Sequence, residues 1–594
     1  MKDFLKMLAA SLIGCGIVLF FGLFILIGIF SAALSFSSSQ VAVVPSNAIL
    51  QLNFEKPVLE QGAQNPFAQF SPMKLLSAGN DGYGYYDIVE AIERAATDSR
   101  ISMIYLNLNY LNAGISHIDE IRDALIRFRT SGKPVISYAD AYSQAGYYLA
   151  SVSDKVYLNP EGLLSLRGFS LSTLYYKALL DELGVEAQLI KHGKYKSGVD
   201  RFVQRQMSPE DREQTQRYIQ SVWGHWISGI SNARGLSEES LNAAAAQEGF
   251  SSASEALDLG FVDGIFYKDQ MIDQLCKLQG VSKESELKPV GMGTYISAAL
   301  PSRSKQKIAL VYADGIIYTG KGRSDIMTDN YLPLLRELRT DSTVKAVVLR
   351  INSPGGDAMA AAMIHREIQL LSQQKTVVIS IGDASASGGY WMAAAGSYIF
   401  SNPASLTGSI GAYAMTYNGQ KGMNKWLKLN AETVKTHPSG DAGSIYRPLS
   451  AVELQRLQQG IDKTYSQFVE TVAQGRSLPQ EEVEEVAQGR IWSGSDAVQA
   501  QLVDRLGGLY EAIQYAAERA GLDDYRLVNH PVRGSVLEQL LAGMSAKTQT
   551  LGGTEAVFTI SDPQSWTKAL QQWVEKEFGK GVQAKLPYTY EILY

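Results

Sequence analysis

Apolar and polar positions divide the chain into two regimes. From Leu8 to Leu34 nearly every position is apolar, and after Lys6 no charge appears until Glu55. That run of about 27 residues exceeds both the roughly 20 needed for a helix to span a bilayer and the roughly 7–15 of a cleavable signal. It predicts an uncleaved transmembrane helix within residues 1–40. Lys2 and Lys6 precede it and no basic cluster follows, so the N-terminus is expected in the cytoplasm and the bulk of the chain on the other side. Beyond a polar linker, Ser35 to Gln40, the run Asn47 to Asn53 predicts a first strand. From Tyr83 onward helical periodicity alternates with short apolar runs, the pattern of a largely parallel α/β arrangement.

The pattern also repeats. Asp98-Ser99 matches Asp341-Ser342, Ile104 to Asn109 matches Val347 to Asn352, and Val135-Ile136-Ser137 matches Val378-Ile379-Ser380, each at an offset of 243. Gly146-Tyr147-Tyr148 falls on Gly389-Tyr390-Trp391 and Asn159-Pro160 on Asn402-Pro403 at the same offset. It drifts to 242 at Arg234 and Arg476, and to 241 at Val262-Asp263 and Val503-Asp504. Matches in a register this steady imply a duplicated domain, with a second copy opening near Lys307. The expected divisions are an anchor and linker at 1–40, a first α/β half at 41–300, a second at 301–530 and a C-terminal extension at 531–594.

Composition narrows the function. The 594 residues carry 54 basic and 60 acidic side chains, a formal net charge of −6. With no long basic run, nucleic acid is not an expected partner. Two cysteines, Cys15 and Cys276, supply no disulfide framework, so stability must come from packed cores.

Where the halves differ, chemistry is indicated. Ser409, in the turn Thr407-Gly408-Ser409-Ile410-Gly411, corresponds to Leu166, and the loop Ser353-Pro354-Gly355-Gly356 corresponds to Tyr110-Leu111-Asn112-Ala113. Glycines after a strand allow close backbone approach and free amides, as an oxyanion site requires. Ser409 is therefore the expected nucleophile, and it needs a base. The six histidines lie in no triad context, although His437 remains a rival base. The loop Lys191-His192-Gly193-Lys194-Tyr195-Lys196-Ser197 offers lysines that the second half lacks, and Lys196 falls opposite Ser439. A lysine acts as base only when burial keeps its amine neutral. Spacing leaves Lys194 and Lys196 open.

These motifs, with Ala386-Ser387-Gly388-Gly389-Tyr390 and Gly489-Arg490-Ile491-Trp492-Ser493-Gly494, resemble the signal peptide peptidase A (protease IV) family in its long, duplicated, membrane-anchored form. The resemblance implies tandem Clp protease/crotonase-like domains of repeated ββα units. It implies a serine/lysine dyad split between the halves, with Ser409 as nucleophile, Lys196 as general base, and the amides of Gly356 and Ile410 as the oxyanion hole. No metal or cofactor is implied. It further implies peptide substrates such as signal-peptide remnants, a homotetramer, and a single-pass place in the bacterial inner membrane with the catalytic portion outside the cytoplasm. Two rivals share parts of this pattern: a crotonase-like acyl-CoA enzyme, and a non-catalytic membrane scaffold.

Overall fold

The computed structural model describes residues 44–62, 82–299, 302–322, 325–531 and 583–585, with Gly14 and Phe20–Gly22 from the N-terminal run. Most of the expected membrane span, and most of the C-terminal extension, lie outside the described residues. Among the described residues no helix is long and apolar enough to cross a membrane.

The first half supplies strands β1 (Ala48–Asn53), β2 (Ile101–Asn107), β3 (Val135–Ala139), β4 (Lys155–Leu158), β5 (Glu186–His192), β6 (Gly264–Ile265) and β7 (Pro289–Gly291). Its helices relevant here are α1 (Tyr85–Thr97), α2 (Ile115–Arg129), α3 (Gln144–Ala150), α4 (Pro209–Arg234) and α5 (Lys268–Gln279). The second half supplies β8 (Lys307–Asp314), β9 (Ile317–Tyr318), β10 (Ile326–Met327), β11 (Val344–Ser353), β12 (Gly355–Asp357), β13 (Thr376–Ala386), β14 (Tyr398–Ser401), β15 (Leu406–Gly408), β16 (Ala412–Asn418), β17 (Ile491–Ser493), β18 (Arg505–Leu506) and β19 (Arg526–His530). It also supplies α6 (Ala358–Ser372), α7 (Gly388–Ala393), α8 (Ala451–Arg476) and α9 (Leu509–Arg519), and Gln583–Lys585 adds β20.

The duplication is visible in the sheets. The first is ordered β6-β4-β3-β2-β1-β7, all parallel. The second contains β18-β14-β13-β11-β8-β19 in the corresponding order, also parallel. The sequence register thus reproduces the strand order.

Side-chain alternation along β11 assembles the layers, because successive residues point to opposite faces. Ala346 and Val348 face a core shared with Ile88 and Ile92 of α1, Ile118 and Ile121 of α2, and Ile513 of α9. Val347, Leu349 and Ile351 face the opposite core, with Ile364 and Ile368 of α6 and Phe468 and Val472 of α8. Helices α1, α2 and α9 thereby lie between the two sheets.

Arg350 continues the face of Ala346 and Val348 and points toward the first half. Its guanidinium donates to Glu60 Oε2 at 3.0 Å, Glu120 Oε1 at 2.9 Å and Ser380 Oγ at 3.0 Å, with the side chain fully buried. His117 Nε2 meets Glu60 Oε1 at 3.0 Å, and Asp383 Oδ1 accepts from Ser116 N and Oγ at 2.8 Å. Burial alone would raise the Glu60 carboxyl, but Arg350 and His117 outweigh it and hold its pKa at about 2. A network of charges therefore fastens α2 to the second sheet.

A third sheet joins the halves directly. Its order is β10-β9-β12-β20-β16-β5, and β5 of the first half runs antiparallel to β16 of the second, with His192 opposite Ala412 and Lys191 opposite Tyr413.

Candidate active site

The pairing of β5 with β16 delivers the loop after β5 to the turn before β16. Gly193, at φ +105°, turns the chain against Gln488, whose carbonyl accepts from Tyr195 N at 2.9 Å. A Cβ at position 193 would lie 2.5 Å from that carbonyl oxygen, so only glycine fits. Helix α4 holds the loop from the other side. It begins with Ser208 capping Asp211 N and Pro209 in its first turn, and ends on left-handed Gly235. Its Asp211 accepts from Ser197 Oγ at 2.6 Å, and Gln214 Nε2 donates to Tyr195 O at 3.0 Å and Ser197 Oγ at 2.8 Å.

Lys196 is 1% exposed. A Cβ at Gly411 would lie 3.1 Å from its Cδ, and one at Gly489 would lie 2.6 Å from its Cβ, so two glycines leave the space its stem occupies. The amine meets Ser387 Oγ at 2.7 Å, Ser409 Oγ at 2.9 Å and Ser409 O at 2.9 Å. All of its hydrogen-bond partners here are uncharged, and burial lowers its pKa to about 7. Neighbouring Lys191 instead pairs with Asp200 at 2.6 Å, and Lys194 lies over the Tyr195 ring at 5.0 Å. Of the lysines left open by spacing, Lys196 is the one set against serine.

Ser409 therefore lies where a partner of Lys196 was expected. Its φ is +50°, and its amide donates to Arg490 O at 2.7 Å. Ile410 is buried, and its carbonyl accepts from Gly489 N at 2.7 Å. Gly356 lies on β12, where a Cβ would come within 2.1 Å of Ile317 O. His437, the rival base, is exposed, and its ring meets the hydroxyl of adjacent Thr436 at 3.1 Å.

Ser387 is the residue that the sequence comparison passed over. It stands between β13 and α7 with φ 56° and ψ −119°, a conformation that residues with a side chain seldom adopt. Its amide donates to Gly408 O at 2.8 Å, and its carbonyl accepts from Trp391 N at 2.9 Å. Stacking of Trp391 on Phe468 at 4.5 Å and the bond from Tyr390 Oη to Leu502 O at 2.7 Å anchor the helix behind it. The first turn of α7 also touches the glycine loop: a Cβ at Gly389 would lie 3.0 Å from Ser353 O. A signal was present in the repeat, since subtracting 243 from 387 gives Gln144, another hydroxyl absent from the first half. In the first half Gln144 is tied to the backbone of Arg167 and Gly168.

A buried amine whose pKa is lowered to about 7, with hydroxyl groups around it and a glycine-bearing strand nearby, is the equipment of a serine hydrolase. The profile of Peptidase family S49 matches residues 127–282 and 369–523, and that of Clp protease matches residues 301–407. The chain belongs to Peptidase family S49 and is a serine protease. It is 35% identical over 477 residues to Protease 4 of Salmonella typhi, covering 78% of this chain and 77% of the relative. To Protease 4 of Haemophilus influenzae it is 34% identical, covering 73% and 72%, and to the chloroplastic serine protease SPPA of Arabidopsis thaliana 30%, covering 82% and 74%.

Proposed function

We propose that this serine protease is a membrane-anchored endopeptidase whose dyad is split between the halves, with Lys196 as general base and Ser387, rather than Ser409, as nucleophile. The observation that carries it is the contact of one buried amine with both hydroxyls. A neutral amine has two N–H groups and one lone pair. One N–H must serve Ser409 O, which only accepts, so the amine donates to one hydroxyl and takes the proton of the other. Only one serine is activated.

Two features favour Ser387. Its backbone is held in a strained strand-to-helix turn, the kind of turn on which hydrolase nucleophiles are carried, and its helix abuts the loop carrying Gly356. Ser409 instead lies between Gly408 and Gly411, where an added Cβ would come 2.8 Å from Trp492 and 2.9 Å from Gly489. In this mechanism Lys196 takes the Ser387 proton as Oγ attacks the peptide carbonyl. The amides of Gly356 and Gly388 hold the oxyanion, Lys196 protonates the leaving amine, and water releases the acyl group. Ser409 orients the amine. The second reading, attack by Ser409 with the amides of Gly356 and Ile410, is favoured by its own 2.9 Å contact with Lys196.

Protonation of Lys196 turns all three contacts into donations from the amine and leaves the serine unactivated. Activity is present above the amine's pKa and lost as pH falls through it. Hydrolysis of an extended apolar peptide is expected to rise through a midpoint near 7, and to stand at about 1% of its plateau two pH units below. A profile flat from pH 5 to 9 contradicts the lysine as base.

The apolar run at Leu8 to Leu34 supports a single-pass anchor in a bacterial inner membrane, with the catalytic halves outside the cytoplasm and signal-peptide remnants within reach. The repeat supports a head-to-tail assembly of copies, for which the family resemblance implies four. Adding 243 to the bounds of β5 gives 429–435, and subtracting it from those of β16 gives 169–175; both segments lack strand structure. The segment 429–435 is exposed throughout, with Val434 wholly so. By the pairing of β5 with β16, 429–435 of one copy pairs with 169–175 of the next, a head-to-tail contact that closes into a ring. Sedimentation of the purified chain should give the mass of four copies; a single-copy mass at micromolar concentration rules this out.

A further inference from the structure

The segment Gln488-Gly489-Arg490 touches both sides of the split dyad. Gln488 O accepts from Tyr195 N at 2.9 Å, and Gly489 backs onto the stem of Lys196. Toward the serine, Gly489 N donates to Ile410 O and Arg490 O accepts from Ser409 N, both at 2.7 Å. To make these contacts the chain adopts φ +58° at Gln488 and +78° at Gly489. Glycine takes such angles freely and glutamine does not, so position 488 must be held from outside.

The hold comes from Tyr465 of α8, which is 3% exposed. Its Oη accepts from Gln488 N at 3.3 Å and from Gln488 Nε2 at 3.2 Å, and donates to Glu484 Oε2 at 2.7 Å. Gln488 Nε2 also donates to Glu484. Burial, reinforced by Glu484, raises the phenol's pKa, so the hydroxyl keeps the proton it donates. Its ring stacks on His192 at 3.9 Å, and His192 Nδ1 meets Asp462 Oδ1 at 2.7 Å, one turn earlier on α8. His192 ends β5, four residues before Lys196. Tyr465 thus bears on the lysine loop with its face and on the Gln488 turn with its hydroxyl. Of the other charges nearby, Lys191 pairs with Asp200 and Arg490 with Glu213, and Asp211 takes the Ser197 hydroxyl. At the 242 offset the first half, which carries no dyad serine, has Trp223 in this place, and its Nε1 turns to Asn242.

We propose that Tyr465 is a positioning residue for the proteolytic reaction: its hydroxyl holds Gln488–Arg490 in the left-handed turn that packs against the stem of Lys196 and sets Ser409 beside the amine. The inference rests on Lys196 as base. Burial is what lowers the pKa of that amine, and Gly489 is part of its cover. Without the phenol hydroxyl, Gln488 relaxes from its left-handed angles, Gly489 draws back and water reaches the amine, whose pKa climbs toward the ordinary lysine value of about 10.4. The neutral form that acts as base is then present only at higher pH.

The test compares the full-length chain with its Tyr465→Phe variant, which keeps the ring stacked on His192. The rising kcat profile for a fluorogenic peptide is expected to move up by about one pH unit, lowering kcat about fivefold at pH 7 and hardly at pH 9.5. KM should stay within about twofold, because a side chain this buried does not meet the peptide. Amide hydrogen exchange at Gln488–Arg490 should quicken. Adding Gln488→Gly, which takes the left-handed angles without help, should return the midpoint most of the way to its original position. A uniform loss of kcat across the profile, or an unchanged midpoint, overturns the positioning role and leaves Tyr465 as a packing residue. If the unsubstituted chain shows no rise with pH, the lysine base fails instead; quicker exchange at Gln488–Arg490 in Tyr465→Phe then still supports the hydroxyl's hold on the turn, and equal exchange overturns it.

Discussion

Lys196→Ala and Ser387→Ala will each lower kcat/KM for peptide hydrolysis by about 10⁴-fold or more, and the double variant will be no worse than either alone, because residues that act as a unit fail together. Ser409→Ala will retain activity reduced about 10- to 100-fold, the loss of one hydrogen bond to an ionisable group. The contrast follows from the amine's hydrogen inventory. Removing the activated hydroxyl removes the nucleophile, whereas removing the orienting one leaves Ser409 O still able to accept from Lys196. Progress curves for the three variants at pH 8 measure this directly. Full loss in Ser409→Ala with substantial activity in Ser387→Ala would transfer the nucleophile to Ser409.

Arg350→Ala will destabilise the chain by about 3–5 kcal/mol, because it leaves the carboxylates of Glu60 and Glu120 buried without their shared cation. Neutralising the partners as well, in Arg350→Met with Glu60→Gln and Glu120→Gln, will recover much of the loss, since uncharged groups of similar volume carry no unpaired charge. Arg350 joins a strand of the second half to α2 and the Glu60 loop of the first. The failure should therefore appear as weaker docking of the halves, and with it loss of the Lys196 contact. Urea denaturation followed by tryptophan fluorescence reads the stability, and a change below 1 kcal/mol for Arg350→Ala would show that the network is not what holds them.

Much of this was legible in the sequence because duplication turns one chain into a comparison. The offset of 243 announced a duplicated α/β domain, and two sheets with corresponding strand order follow from it. It also brought Lys196 and Ser409 into one hypothesis from 213 positions apart, a separation that local pattern could not bridge. Ser387 was less legible, because a serine between alanine and glycine reads as an ordinary turn, although its counterpart Gln144 lacks the hydroxyl. Its distinguishing property is a pair of backbone angles, set by β13, α7 and the carbonyl of Gly408.

Arg350 was hidden differently. It occupies the place of Asn107 within an otherwise matching apolar strand. Alternation assigns it a face but not the acids that await it, which come from the other half. The three residues of β20 carry no pattern at all, since a strand that short is defined by the edges that receive it.

The split dyad with Ser387 as nucleophile is tested most directly by covalent labelling. The intact chain, treated at pH 8 with a fluorophosphonate and digested, should yield one phosphonylated serine in the segment containing Ala386-Ser387-Gly388. That adduct should be absent from Lys196→Ala. An adduct at Ser409 instead, or equal labelling of Ser387 with Lys196 removed, would contradict the assignment.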